Sequence, residues 1–139
     1  MKKQKKAKTL DGATIDDLVA RATEVRKNAY APYSKYKVGA AILTKSGKVF
    51  TGCNVENASL GATICAERGA VMQMIAAGED DPVACAVVTK DGGSPCGMCR
   101  QVLSEFASAM PIVIAATNDP QSAHVIDLAE LLPRMFELR

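Results

Sequence analysis

The sequence contains no tryptophan, one histidine and an aromatic content of only 4%. Proteins that bind single-stranded nucleic acid stack bases on aromatic side chains, so this composition argues against a polynucleotide channel. No apolar run approaches the ~20 residues that a membrane-spanning helix needs. The basic first residues are not followed by the apolar segment of a secretory signal. These absences predict a cytoplasmic protein with no membrane partner.

Positive charge is concentrated at the N-terminus. Residues 2–8 contain five lysines and no acidic residue, which leaves twelve basic against fifteen acidic residues in the rest of the chain. A nucleic-acid-binding protein needs a basic patch on its folded body, and the sequence provides none. We therefore expect residues 1–13 to be a disordered basic tail. Residues 14–139 are long enough for a single domain with its own core, and we expect no nucleic-acid partner.

The cysteines carry the first indication of chemistry. Of the five cysteines, Cys65 lies two residues before Glu67, and Cys96 and Cys99 form a Cys-x-x-Cys pair. In a chain with no export signal, such a pair is more typical of a metal or redox site than of a disulfide. A zinc ion with three protein ligands keeps its fourth position for water, which is the catalytic arrangement.

Glu67 is predicted to be an acid/base group and not a fourth ligand. Its spacing from Cys65 places a carboxylate near the open face of a metal that lowers the pKa of water to roughly 7. A redox Cys-x-x-Cys with an unrelated buried cysteine is the competing interpretation, and the third cysteine with its glutamate favours metal. A non-enzymatic, zinc-stabilised binding module would need a fourth protein ligand. The chain has no further cysteine or histidine suitably placed to be that fourth ligand. The only histidine, His124, is predicted to lie at the surface.

Hydrophobic periodicity predicts alternating helices and apolar strands. The predicted helices begin near Thr14 and cover 64–77, 96–107 and 127–132, and the predicted strands cover 36–43, 48–53, 83–89, 111–116 and 122–126. The first helix is expected to end at Ala31-Pro32. This order predicts an α/β fold, a three-layer α/β/α sandwich around a mixed five-stranded sheet. Two predicted helices begin at the cysteine motifs, where exposed amides and the positive dipole end favour thiolates and carboxylates.

Residues 30–106, and more loosely 14–136, resemble the small cytidine deaminases that have three cysteine ligands. The two cysteine motifs match a whole superfamily of zinc-dependent deaminases, whereas the Asn-Val-Glu-Asn-Ala block is narrower and belongs to nucleoside binding in the family. The matching segments are Tyr30-Ala31-Pro32-Tyr33-Ser34, Val38-Gly39-Ala40-Ala41, Asn54-Val55-Glu56-Asn57-Ala58, Cys65-Ala66-Glu67-Arg68 and Pro95-Cys96-Gly97-Met98-Cys99-Arg100-Gln101.

The resemblance implies one Zn²⁺ per chain held by Cys65, Cys96 and Cys99. It also implies hydrolytic deamination of cytidine and 2′-deoxycytidine to uridine and 2′-deoxyuridine. In that mechanism a zinc-activated water attacks C4 of cytosine while Glu67 protonates N3 and then carries a proton to the departing amino group. Arg68 would donate hydrogen bonds to ligand sulfurs and so offset the excess negative charge of three thiolates.

The resemblance further implies a substrate site and an assembly. Asn54 and Glu56 are expected to hold the ribose hydroxyls, and alternation along an extended segment puts them on the same side. Tyr36 and Ala66 are also expected to contact the substrate. Phe136 matches an aromatic residue that reaches an adjacent active site, which implies a homotetramer.

Two positions depart from the family pattern. Tyr36 stands where family members often have a phenylalanine that packs on the base. Leu60 stands where they often have an aromatic residue thought to line the pocket of a neighbouring subunit. Because leucine removes a stacking surface, another aminopyrimidine nucleoside, such as a modified cytidine or blasticidin S, stays open as an alternative substrate.

Overall fold

Helices and strands alternate along the chain in the computed structural model, which describes residues 9–138. The helices are α1 (Gly12–Arg26), α2 (Ala66–Ala76), α3 (Gly97–Phe106) and α4 (Leu128–Leu131), with a 3-10 turn over Leu60–Ala62. The strands are β1 (Gly39–Thr44), β2 (Val49–Cys53), β3 (Pro82–Thr89), β4 (Pro111–Ala116) and β5 (Asp119–Asp127). None of the described helices is long and apolar enough to cross a membrane.

The five strands form one mixed sheet in the order β2-β1-β3-β4-β5. Strand β1 is antiparallel to both β2 and β3, β3 is parallel to β4, and β4 is antiparallel to β5. The parallel pair is joined through α3, as a parallel pair requires a crossover connection. The predicted α/β class and mixed five-stranded sheet are confirmed.

Alternation along the strands divides the core into two layers. In β3, Cys85 and Val87 pack in one cluster with residues of α2, α3 and α4, whereas Ala84 and Ala86 pack in the other with α1. Successive side chains of a strand point to opposite faces, so the continuous apolar run of β3 is buried on both sides. Helices therefore cover both faces of the sheet.

The start of α1 differs from the sequence prediction. Asp11 is the N-cap, and its carboxylate accepts a hydrogen bond from the backbone N–H of Thr14 at 2.7 Å, so Thr14 lies inside the helix. Gly12 and Ala13 thus belong to α1, although the predicted tail extended to residue 13. The helix ends at Arg26, ahead of the predicted stop. Residues 1–8 of the predicted tail lie outside the described residues.

Two helix N-termini define one end of the molecule. Cys65 is the N-cap of α2 and Cys96 is the N-cap of α3, so each lies one residue outside its helix, whereas the predicted helices over 64–77 and 96–107 included them. Strand β3 ends at Thr89, and a loop connects it to Cys96. The fold thus brings the two cysteine motifs to the same edge of the sheet.

Gly52 in β2 permits the close approach of α2 to the sheet. A Cβ atom at this position would lie 2.4 Å from both the carbonyl oxygen of Ala66 and the backbone nitrogen of Ala70. Both are backbone atoms of α2, which cannot move away without shifting the helix that begins at Cys65.

We expect Gly52→Ala to lower the free energy of unfolding by about 1–3 kcal/mol, the usual cost of overpacking. Gly12→Ala is the matched control because nothing lies within 4 Å of its added Cβ atom. That control should keep or slightly raise stability, since alanine favours helix over glycine by about 1 kcal/mol. Urea unfolding measures both variants, and equal midpoints would contradict the packing argument.

Candidate active site

Three cysteine sulfurs converge where α2 and α3 begin. The Sγ atom of Cys96 lies 3.8 Å from that of Cys65 and 3.5 Å from that of Cys99, and all three lie within 4.8 Å of one another. Sulfurs bound tetrahedrally to one zinc at ~2.3 Å are separated by about 3.8 Å. A disulfide requires about 2.05 Å. The three residues therefore fit a metal ion, as predicted.

Hydrogen-bond donors favour the thiolate form of Cys65. The pKa of its thiol is held well below its usual range, chiefly by the hydrogen bond from Cys99 and further by the bond from Arg68. The Nη2 atom of Arg68 lies 3.3 Å from Cys65 Sγ and 3.2 Å from the carbonyl oxygen of Thr63. Since thiolates and not thiols bind metals, this environment suits a ligand.

Glu67 lies in the first turn of α2 and is 3% exposed. Burial, the largest influence, raises the pKa of its carboxyl group above the ordinary range. A carboxyl group with a raised pKa holds a proton more readily than an ordinary glutamate, which is a property that a general acid–base catalyst uses.

A cavity of about 300 Å³ opens beside the cysteines. This volume is at the small end of the range for ligand pockets, ~300–1,000 Å³. Apolar walls come from Val38 and Val87, and Thr63, Thr89 and Ser94 add hydroxyl groups that sequence reasoning left without a role. The predicted site residues that line it are Tyr36, Asn54, Glu56, Cys65, Ala66, Glu67 and Cys96.

Asn54 is buried, and its side chain is fixed by backbone groups. Its Oδ1 atom accepts a hydrogen bond from the N–H of Val38, and its Nδ2 atom donates one to the carbonyl oxygen of Tyr36, both at 2.8 Å. An amide nitrogen has two N–H donors. One donor therefore stays available to a molecule in the cavity, and the other holds the segment that leads into β1.

Glu56 is held by the segment before β1 as well. Its carboxylate accepts hydrogen bonds from the N–H groups of Tyr33 at 2.9 Å and Ser34 at 3.1 Å, and from the hydroxyl group of Ser34. The bond from the Ser34 hydroxyl is the main cause of a lowered pKa for Glu56. Sequence reasoning assigned no role to Ser34. Ser34 lies in the segment 30–34 that matches the family, and this match was the signal that could have identified it.

Arg100 anchors the loop in front of the second cysteine motif. Its guanidinium group donates to the carbonyl oxygens of Pro95 at 2.7 Å and Leu131 at 2.8 Å, and to Ser94 Oγ at 2.9 Å. These bonds connect the start of α3 to the end of α4. No sequence pattern predicted this contact, because Leu131 lies 31 residues away along the chain.

Phe136 and Leu60 lie outside the cavity of the single chain. They are 68% and 80% exposed, respectively. The carbonyl oxygen of Phe136 accepts a hydrogen bond from Gln101 Nε2 at 3.1 Å, which attaches the C-terminal segment to α3. Their predicted contacts are with a neighbouring subunit, so the geometry of one chain does not test them.

Comparison with known proteins agrees with a zinc site at the three cysteines. The family described as the cytidine and deoxycytidylate deaminase zinc-binding region matches residues 13–116. A cytidine deaminase from Halalkalibacterium halodurans is 46% identical over 121 residues, 86% of this chain and 91% of that protein. One from Sporosarcina psychrophila is 41% identical over 125 residues, 88% of this chain and 90% of that protein.

A crystal structure of cytidine deaminase from Burkholderia pseudomallei has a similar fold. Its TM-score with this chain is 0.82 at 43% sequence identity, and the match covers 87% of this chain and 98% of that chain. The similarity therefore extends over most of this chain and nearly all of that one.

The cysteine cluster predicts about one zinc per purified chain, as expected for a three-ligand site. Cys96→Ser should lose most of this zinc because it removes one of the three sulfurs. Cys53→Ser, the control at the end of β2, should retain it. Elemental analysis of the three proteins measures the metal. A wild-type protein without zinc, or equal zinc in both variants, would contradict the assignment.

Proposed function

Because the chain belongs to the cytidine deaminase family, we propose that it catalyses the hydrolytic deamination of cytidine and 2′-deoxycytidine to uridine and 2′-deoxyuridine. The observation that carries the proposal is the position of a buried carboxyl group, Glu67, in the same cavity as Cys65 and Cys96. A closed structural zinc site would have no use for this acid and would leave no room for a substrate.

Proton transfer is the role proposed for Glu67. Zinc, when bound by the three cysteines, supplies a Lewis acid that activates water at neutral pH. Glu67 takes one proton from the water and delivers it to N3 of the cytosine ring as the water oxygen bonds to C4. It then takes a second proton from the added oxygen and passes it to the amino group, which leaves as ammonia when the C4–N bond breaks. Its raised pKa supports this role, since burial makes the carboxyl group hold a proton more readily than an exposed glutamate does.

Positioning of the nucleoside is the role proposed for Asn54 and Glu56. The free N–H of Asn54 suits an acceptor such as a ribose hydroxyl oxygen, and the ionised Glu56 carboxylate suits a hydroxyl donor. Tyr36 and Ala66 complete the wall next to the base. Arg68, through its bond to Cys65 Sγ, offsets the negative charge of the three ligand sulfurs.

The proposal extends to assembly and biological context. We propose a homotetramer in which Phe136 and Leu60 contact neighbouring subunits, and the high exposure of both side chains in the single chain supports it. Unpaired cysteines, including the half-buried Cys53, support a reducing location such as the cytoplasm. A deaminase of free nucleosides would serve pyrimidine salvage.

An ammonia assay with a substrate panel tests the function. The panel contains cytosine, cytidine, 2′-deoxycytidine, an N4- or 5-substituted cytidine and blasticidin S. We expect turnover of the two plain nucleosides and little turnover of the free base, which lacks the ribose that Asn54 and Glu56 bind. A preference for the substituted cytidine or blasticidin S would favour the alternative substrate that Leu60 leaves open. Ammonia from none of the five would refute deamination.

Glu67→Gln keeps the shape of the side chain and removes its proton-carrying group. Turnover of cytidine should fall by ~10²–10⁴, the contribution of general acid–base catalysis, while the zinc content stays unchanged. Glu105→Gln makes the same chemical change on the exposed side of α3 and should keep full activity. Near-normal turnover by the Glu67 variant would disprove the proton-transfer role.

A further inference from the structure

A hydrogen bond connects the cavity wall to the loop that ends at Cys96. The hydroxyl group of Tyr36 donates to Asp91 Oδ1 at 2.6 Å, across 55 residues of sequence. Tyr36 lines the cavity just ahead of β1, and Asp91 lies in the loop between β3 and α3. One side chain therefore contacts both the cavity and the loop that delivers a cysteine to the metal site.

The loop itself is folded against the end of β3. Thr89 is 3% exposed, and its Oγ1 atom accepts hydrogen bonds from the backbone N–H groups of Gly92 and Gly93, each at 2.8 Å. Gly92 has φ of +83°, a conformation that favours glycine. These bonds are all internal to the turn. The bond from Tyr36 adds an anchor from a separate segment.

The close approach of Tyr36 depends on a glycine. A Cβ atom at Gly93 would lie 2.8 Å from the Tyr36 hydroxyl oxygen. The hydroxyl group is a neutral donor, because burial and the Asp91 bond raise its pKa, and the same bond lowers the pKa of Asp91. A neutral donor facing an ionised acceptor makes a charge-assisted bond, which is stronger than a neutral one.

We propose that Tyr36 and Asp91 are a pair of positioning residues that fixes the loop before Cys96 relative to the substrate cavity. Phenylalanine at position 36 would provide the ring without the hydroxyl group, so this contact belongs to the tyrosine of this chain. Without the bond, the Tyr36 ring loses the orientation that it presents to the base. Cys96, the exposed member of the three cysteines, also loses an anchor of its loop. Glu67 lies on α2 and keeps its position.

Two readouts separate this role from general stability. The first is the steady-state kinetics of cytidine deamination, which rests on the proposed function. The second is the rate at which the holoprotein transfers zinc to a chromogenic chelator, which requires no substrate. Thermal unfolding checks that each variant is folded, and Tyr36→Phe removes a single oxygen atom.

Tyr36→Phe should raise KM by about three- to tenfold, the range that loss of one hydrogen bond supports, with a smaller change in kcat. Zinc transfer should accelerate by a similar factor. Asp91→Ala should have at least these effects, because it also removes the acceptor of a 3.5 Å bond from the Thr89 hydroxyl group. The double variant should be no worse than Asp91→Ala alone, because both single variants remove the Tyr36–Asp91 bond. Asp91→Asn retains an acceptor oxygen and should restore part of the loss. Tyr30→Phe, at an exposed tyrosine, should match the wild type.

Gly93→Ala tests the Tyr36–Asp91 contact by adding a methyl group next to the Tyr36 hydroxyl group. The added methyl group should displace the Tyr36 hydroxyl and reproduce the effects of Tyr36→Phe. In the Tyr36→Phe background, the clash is absent, so Gly93→Ala should cost little more. Such non-additivity is expected only if the two positions act through the same contact.

The proposal is overturned if Tyr36→Phe behaves like Tyr30→Phe in both readouts, or if the effects of Tyr36→Phe and Asp91→Ala multiply in full. If the proposed function is wrong, the two readouts give a different pattern. In that case the wild-type holoprotein does not deaminate cytidine, while zinc transfer still accelerates in the Tyr36 and Asp91 variants and supports the pair.

Discussion

Three cysteine sulfurs within 4.8 Å of one another are the constraint on which the rest of the structure depends. Thiolates this close repel one another unless positive charge offsets them. Cys65 and Cys96 therefore stand at helix N-termini, where the dipole is positive, and Arg68 donates to Cys65. The arrangement requires α2 and α3 to begin side by side at one sheet edge. Gly52, by admitting the backbone of α2 against β2, makes that position of α2 possible.

The remaining polar groups of the cavity are fixed before a ligand arrives. Asn54 and Glu56 make their hydrogen bonds with backbone groups of the segment before β1, and Asp91 holds Tyr36. A site that is ordered in advance loses less conformational entropy on binding. Glu67 differs from these residues because it is buried, and burial raises the pKa of its carboxyl group. The cavity thus combines polar groups that are fixed in advance with one buried carboxyl group of raised pKa.

The sequence predicted the architecture and the metal site because both depend on local patterns. Hydrophobic periodicity locates each helix and strand. The spacing of Cys65 from Glu67 is a property of the sequence and does not depend on the tertiary structure. Element ends were less predictable, since α1 begins at Gly12, after its cap Asp11, and not at Thr14 as predicted. The contacts that fix the cavity could not be predicted at all. They join residues far apart in sequence, such as Asn54 with a backbone N–H 16 residues away.

X-ray absorption at the zinc edge of the resting protein tests the central claim most directly, because it counts the atoms bound to the metal. An open catalytic site predicts three sulfur atoms at ~2.3 Å and a lighter atom at ~2.0–2.2 Å. Four sulfur atoms would indicate a closed structural site that recruits Cys53 or Cys85. That result would contradict the account, since no position would be left for the water that Glu67 serves.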